Sequence, residues 1–395
     1  MIQVRETTPK GVVEGVVAPG WEGVADAFLA NFAQRGEAGA SVCATVGGET
    51  VADLWGGEAA PGRAWTRDTV CVVFSCTKAA TAACAHLLAA RGELDLDAPV
   101  TGLWPDYATH GKDRTTTRMM LDHTSGVPVL REPMKADCLT DWDYMTGHLA
   151  AAEPFWEPGT RTAYHPLTFG FTVGEMVRRA SGRSLGQYFA QEIAGPLGLD
   201  FHIGLPEAEE PRVAPILVWR PAPDEPSTPF LDAARTRGTI QNLFAFNHGD
   251  WALKGVNTRP GRAAEIGAAG GVTNARGLAG LFAGLMGQGK ATLWPQAPDE
   301  FSRCTSATHA DGTLMAPTRF GAGFMLRMDN RRTGGDSLVI GDRAFGHVGA
   351  GGSVGFADPE RGLAFGYAMT KMGAGLLLNE RGQSLVDAAY AAATR

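Results

Sequence analysis

Several large classes of protein are excluded by what this sequence has little of. It holds no uninterrupted apolar stretch near the roughly 20 residues a helix needs to span a bilayer. Lys and Arg number 35 against 42 Asp and Glu, a net charge of −7. A chain short of positive charge offers phosphates no basic face, which argues against nucleic acid and against an anionic membrane as partners. No block of like charges is long enough to form a tail. Cysteine is sparse: the six residues Cys43, Cys71, Cys76, Cys84, Cys138 and Cys304 form no C-x-x-C pair. H-E-x-x-H and paired Cys/His spacings are also missing, so neither a metal nor another cofactor is expected. The cysteines sit among small or apolar neighbours, as reduced thiols in a reducing compartment do. The opening Met1-Ile2-Gln3-Val4-Arg5-Glu6 puts charge where a signal peptide needs apolar residues, which reads as cytoplasmic.

What is present is an ordinary globular composition, 44% hydrophobic and 19% charged over 395 residues. That length supports a large core, or two lobes sharing a cleft. Val24, Phe28, Leu29 and Phe32 recur at helical spacing and predict a helix over about 21–35, stopped at Gly36. The runs Ser41–Val46 and Thr50–Trp55, separated by Gly47-Gly48-Glu49, predict a hairpin. Residues 70–74 form an apolar strand candidate running into Ser75, followed by an Ala-rich helix from Ala79 to Arg91 that Gly92 ends. Small side chains all round that helix imply close packing on every side. Residues 93–270 read as mainly helical, and the proline-rich stretch Pro206–Pro229 as a surface excursion. Strand candidates return at 321–328, 338–345, 353–357 and 363–369, and a helix is expected from about Leu385 to Ala393. Strands at both ends with helices between define an α+β fold. Its first lobe would comprise residues 1–92 and 271–395, carrying the sheet. Residues 93–270 would form the helical second lobe.

Ser75-Cys76-Thr77-Lys78 is an S-x-x-K at the start of a helix. A spacing of three puts hydroxyl and amine on one face, a turn apart. The helix N-terminus adds free N–H groups and partial positive charge, which favour a developing oxyanion. Serine needs a base to become a nucleophile, and lysine can be that base only if desolvation lowers its pKa from about 10.4. Serine is also a common helix cap and lysine a common helical residue, so the tetrapeptide by itself is weak. Its setting strengthens it, because a lysine in a buried helix is costly without a purpose.

S-x-x-K belongs to the penicillin-recognising enzymes. The run from Phe74–Lys78 to Gly92-Glu93-Leu94-Asp95-Leu96-Asp97-Ala98-Pro99-Val100 resembles the class C β-lactamase superfamily. Leu121-Asp122-His123-Thr124-Ser125-Gly126, Pro158-Gly159, Tyr164-His165-Pro166 and Gly346-His347-Val348-Gly349-Ala350 follow in that superfamily's order, so that the resemblance covers roughly residues 20–390. It implies a β-lactamase/transpeptidase-like fold: an antiparallel sheet built from both termini, flanked by helices, with a helical insertion lobe. By position, Tyr164 matches the tyrosine of the Y-x-N motif, which shares proton transfer with the lysine. An ammonium beside this phenol would pull its pKa down toward working pH. Pro166 stands where that motif has Asn, and His347-Val348-Gly349 where β-lactamases and peptidases carry K-T-G. Both departures point away from β-lactams and toward the family VIII carboxylesterases, which the chain resembles most. The resemblance then implies a serine carboxylesterase acting on small or medium esters. Its catalytic residues would be Ser75, Lys78 and Tyr164, its oxyanion hole the N–H groups of Ser75 and Ala350, and its substrate-binding residues His347 and Gly349. The alternatives on the same fold are a β-lactamase, an amide hydrolase or an acyltransferase, and outside catalysis a binding protein.

Two rival arrangements can also be drawn. Gly351-Gly352-Ser353-Val354-Gly355 matches G-x-S-x-G, a pattern that needs a strand turning sharply into a helix. Here a strand-like run and a turn at Pro359 follow instead. A Ser-His-Asp triad using His123, His165 or His347 would leave Lys78 unexplained. Of the tryptophans Trp142, Trp156, Trp251 and Trp294, some are expected to wall an apolar acyl site.

Overall fold

The computed structural model describes residues 1–221, 227–294, 299–333 and 335–394. Its centre is a large antiparallel sheet that uses both ends of the chain. From edge to edge the strands run Ile2–Thr8, Gly11–Val17, Glu49–Ala60, Gly39–Val46, Leu363–Met369, Val354–Asp358, Phe345–Val348, Met325–Leu326, Thr318–Phe320 and Ser306–Thr308. The seam between the N- and C-terminal halves lies mid-sheet, where Leu363 pairs with Val46 and Met369 with Ala40. The hairpin expected around Gly47-Gly48 is there, with Val46 opposite Glu49. Both glycines have positive φ, 59° and 84°, the conformation a tight two-residue hairpin turn requires.

The middle strands are buried on both faces, and alternate residues serve different layers. Val42, Ala44, Phe365, Tyr367 and Met369 join the cluster formed with helices Glu22–Gln34 and Glu380–Ala393. Cys43 faces the other way, onto Ala275 and Ala279 of helix Ala275–Leu285. Beyond that helix lies the second core, built around helix Thr77–Ala90, in which every residue from Thr77 to Leu88 is buried. The close packing that its alanines imply is observed.

Three local expectations are corrected, and one hairpin is new. The N-terminal strands Ile2–Thr8 and Gly11–Val17 escape sequence patterning because their hairpin lies at a solvent-exposed edge, held partly by the Arg5–Glu14 ion pair. Within 70–74 only Cys71–Val72 is strand, in a small sheet with Val272–Thr273 and Phe201–His202, because the chain must then turn into Ser75. The segment 338–345 is not a strand: Leu338 makes a single bridge to Met328, and regular pairing starts only at Phe345. In the stretch Pro206–Pro229, Val213, Ala214 and Ile216 are buried, with Val213 bridged to Val70. Residues 222–226 of that stretch lie outside the described residues. All six cysteines are free thiols, five of them buried and Cys304 exposed. Among the described residues no helix is long and apolar enough to cross a membrane.

Candidate active site

Ser75 is delivered by a strained turn. Phe74 adopts φ 45°, a left-handed conformation that costs a bulky side chain on the order of 1–3 kcal/mol. The turn is stapled in place. Thr77 Oγ1 donates to Phe74 O (2.6 Å) and accepts from Gly271 N (2.8 Å), while Ser353 Oγ donates to Val73 O (3.1 Å). Ser75 thus stands at the head of helix Thr77–Ala90, with Lys78 one turn on.

Lys78 is fully buried, and its hydrogen-bond partners are three oxygens. Its Nζ lies 2.7 Å from Pro166 O, 3.0 Å from Ala268 O and 3.2 Å from Ser75 Oγ. No carboxylate is among these partners, so a charge on Lys78 would stand uncompensated. Burial accordingly drives its pKa well below the ordinary lysine value, with Cys76 a smaller opposing influence. Nζ donates to the two carbonyls and to Ser75 Oγ; once deprotonated, the amine can keep both carbonyl bonds and turn its lone pair to the Ser75 hydroxyl. Pro166, whose lack of a side-chain amide the sequence exposes, contributes its backbone carbonyl instead.

Tyr164 completes the cluster. Its ring centroid is 4.7 Å from Lys78 Nζ, and the residue is only 6% exposed. Its pKa is raised, chiefly by burial, with a side-chain hydrogen bond from Ser75 acting the other way. The expected downward shift is therefore corrected. The burial that raises the phenol also works against the ammonium on Lys78 that was to stabilise a phenolate. The backbone of Tyr164 is clamped: its N–H donates to both carboxylate oxygens of Asp311 (3.0 and 2.9 Å), and its carbonyl accepts from Thr313 Oγ1 (2.7 Å).

The residues on strand Phe345–Val348 and the turn after it divide between the pocket and the packing behind it. Val348 and Ala350 line the pocket, as Ser75 and Tyr164 do. His347 is buried, its Nδ1 2.8 Å from Val348 O and its Nε2 without a partner, and burial takes its pKa down to about 3. Gly349 N–H donates to Ser353 O, and a Cβ on Gly349 would come within 2.2 Å of Val73 O. Only glycine lets this turn approach the segment before Ser75 so closely.

The rival arrangements are not assembled. His123 Nδ1 accepts from His165 N, and its ring packs among Tyr164, Phe169 and Phe320. His165 bonds Ser125 Oγ and Ala163 O, with its pKa taken down to about 3 by burial. Among the described residues no histidine hydrogen-bonds Ser75. Ser353 is 1% exposed and precedes strand Val354–Asp358 rather than a helix. Ser353→Ala is expected to keep ester turnover within about tenfold of wild type, since it removes only neutral hydrogen bonds, one to Val73 O and a weak one from Cys76 Sγ, of about 1 kcal/mol each. A loss of more than a thousandfold, measured as kcat/KM on p-nitrophenyl butyrate, would reopen that serine as nucleophile. No three His, Cys, Asp or Glu side chains among the described residues are grouped as metal ligands would be.

The pocket itself has a volume of about 150 Å³ and is mostly apolar. Phe74, Leu139, Phe244 and Trp251 supply much of its wall; Trp251 is the one of the four tryptophans noted above that lines it. Phe244, His248 and Trp251 come from helix Ile240–Phe246 and the turns that follow, which cover the pocket. Sequence reading passed over His248, whose pKa burial lowers to about 4, and Asp311. The signal for Asp311 was the turn-forming Asp311-Gly312-Thr313; nothing in the pattern marked Ala268, whose contribution is a carbonyl.

With this geometry in view, the comparisons with known proteins agree. The family described as Beta-lactamase matches residues 16–389. The chain belongs to that family, in the class C β-lactamase and esterase superfamily, and it is an enzyme of serine-hydrolase type. It is 32% identical over 384 residues to the esterase/beta-lactamase LipL of Mycobacterium tuberculosis, covering 93% of this chain and 85% of that one. The crystal structure of a family VIII carboxylesterase superposes with a TM-score of 0.83 at 34% identity, over 96% of this chain and 99% of the other. A penicillin-binding protein homolog from Caulobacter crescentus gives a TM-score of 0.84 at 33% identity, over 96% and 99%.

Proposed function

We propose that this enzyme is a carboxylesterase that hydrolyses small or medium neutral esters through an acyl-enzyme on Ser75. The observation that carries the proposal is the environment of Lys78: buried, its pKa lowered by that burial, held by Pro166 O and Ala268 O, and 3.2 Å from the Ser75 hydroxyl. Lys78 takes the Ser75 proton as Oγ attacks the ester carbonyl. The N–H groups of Ser75 and Ala350, both on the pocket wall, meet the oxyanion of the tetrahedral intermediate. Tyr164, which keeps its phenol proton, gives it to the departing alkoxide and is reprotonated from Lys78. In the second half a water loses its proton to the same pair and attacks the acyl carbonyl. Ser75 Oγ then leaves and recovers a proton, and the carboxylic acid is released.

The pocket supports neutral substrates. Among the described residues its lining includes no Lys or Arg, and its polar side chains are chiefly those of Ser75, Tyr164 and His248. A free carboxylate, such as a β-lactam or peptide carries, would enter without a counter-charge at the cost of its desolvation. The relatives give that second reading some support, since LipL is described as both esterase and β-lactamase. Turnover of p-nitrophenyl butyrate against nitrocefin separates the two. The ester is expected to win by at least about 100-fold in kcat/KM, roughly 2.7 kcal/mol of transition-state discrimination. Equal turnover, or preference for nitrocefin, overturns the carboxylesterase reading.

A further inference from the structure

Asp311 is 2% exposed, and among the described residues no cation hydrogen-bonds its carboxylate. Four donors make five hydrogen bonds to its carboxylate. Oδ1 accepts from the N–H groups of Tyr164 (3.0 Å), Thr313 (2.8 Å) and Leu314 (2.9 Å). Oδ2 accepts from Tyr164 N (2.9 Å) and Thr318 Oγ1 (3.2 Å). Every neighbour presents a hydrogen, an arrangement an anion satisfies and a neutral carboxylic acid does not. Burial pushes the pKa of Asp311 up, and the same hydrogen bonds pull against it.

The loop that Asp311 organises joins three parts of the pocket. Thr313 Oγ1 returns to Tyr164 O, so that both sides of the Tyr164 peptide unit are held. Leu314 is part of the pocket wall. Gln241, on the covering helix Ile240–Phe246, donates Nε2 to Gly312 O (2.9 Å) and Thr313 O (2.8 Å). Met315 closes the loop at φ 57°, a left-handed conformation that its backbone bond to Asp311 O (2.9 Å) helps maintain. So many bonds on one short loop exceed what a surface turn needs, and they meet at the backbone of the residue that carries the phenol.

We propose that Asp311 is a positioning residue for proton delivery by Tyr164. Its carboxylate fixes the Tyr164 backbone and so sets where the phenol hydroxyl stands relative to the leaving oxygen. This rests on the reading of Tyr164 as the acid that protonates the leaving group. A displacement of about 1 Å is enough to cost a proton transfer roughly 100-fold. The cost falls on leaving groups that need a proton. An ethyl ester must expel a strongly basic alkoxide, whereas p-nitrophenolate departs as a stabilised anion.

The test is the ratio of kcat/KM for ethyl butyrate to that for p-nitrophenyl butyrate in Asp311→Asn, Thr313→Val and Tyr164→Phe. Asp311→Asn is isosteric, keeps one acceptor oxygen, and turns an amide N–H₂ toward donors. Its ratio is expected to fall by about 30- to 100-fold, with labelling of Ser75 by a fluorophosphonate still going to completion. Thr313→Val, which loosens the other side of the peptide unit, is expected to shift the ratio in the same direction by about tenfold, and it decides the matter should Asp311→Asn fail to fold. An unchanged ratio, with both esters slowed alike or neither slowed, overturns the proposal. Tyr164→Phe separates the two levels. If it leaves the ratio unchanged, the acid role of Tyr164 fails; if it lowers the ratio while the Asp311 and Thr313 variants do not, the positioning role alone fails.

Discussion

Ser75→Ala is expected to lower kcat/KM on p-nitrophenyl butyrate by about 10⁴- to 10⁶-fold, the range seen when the nucleophile of an acyl-transfer enzyme is removed. It should also abolish the mass increase that a fluorophosphonate leaves on the wild-type protein. Both effects follow from position. Ser75 is on the pocket wall, 3.2 Å from the one buried amine of the site, and neither Ser353 nor any of the three cluster histidines supplies an equivalent. The substitution should cost little stability, because it leaves Lys78 held by Pro166 O and Ala268 O and forfeits only the hydrogen bonds to Lys78 and Tyr164, about 1 kcal/mol each. Intact-mass spectrometry and peptide mapping check the result. Labelling that persists in Ser75→Ala, or turnover at the wild-type rate, would move the nucleophile elsewhere.

Lys78→Met should cost activity about 10²- to 10⁴-fold, the contribution of a well-placed general base. Its effect on stability carries a sign that identifies the charge state. The folded pKa of Lys78 lies well below its unfolded value of about 10.4. Between those two values the unfolded chain binds a proton that the folded chain does not, so lowering the pH favours unfolding of the wild type. Methionine has no such proton. The melting temperature of Lys78→Met relative to wild type should therefore rise as pH falls from about 10 toward neutrality. The donors lost to Pro166 O and Ala268 O add a penalty, but one that does not vary with pH. Activity should show the matching trend, declining on acidification as the amine gains its proton. Thermal melts of both proteins at several pH values measure this. A melting difference that stays constant across the range would mean that Lys78 keeps its charge in the folded state.

The sequence carried the serine–lysine end of this candidate site and little of what surrounds it. Ser75 and Lys78 were legible because helical spacing converts three positions into proximity, and because the alanines of Thr77–Ala90 announce a helix with no exposed face. Tyr164 was legible only by resemblance, since no local spacing relates it to residues some ninety positions earlier. Its proton was misjudged because a pKa depends on burial and on the charge state of Lys78, neither of which is written in a motif. The oxygens of Pro166 and Ala268 are backbone atoms, which any residue could supply. Asp311 does its work through N–H groups for the same reason. In the fold, two β-prone runs around Gly47-Gly48 marked the hairpin Gly39–Val46 to Glu49–Ala60, but the hairpin Ile2–Thr8 to Gly11–Val17 went unread; its first strand lies at the sheet edge and is exposed along most of its length.

The mid-sheet seam has a consequence for how this molecule comes into being. Strand Gly39–Val46 is buried along nearly all its length, and its partner Leu363–Met369 leaves the ribosome more than 300 residues later. Until then a nascent chain presents an open apolar edge with unpaired N–H and C=O groups, the usual template for unwanted strand addition. The same part of the chain brings Ala350 to the pocket wall it shares with Ser75, so a complete pocket and protection from aggregation arrive together. Folding of this kind is dominated by distant pairings and is slow. Chains that terminate early are left with both the sticky edge and an unfinished pocket.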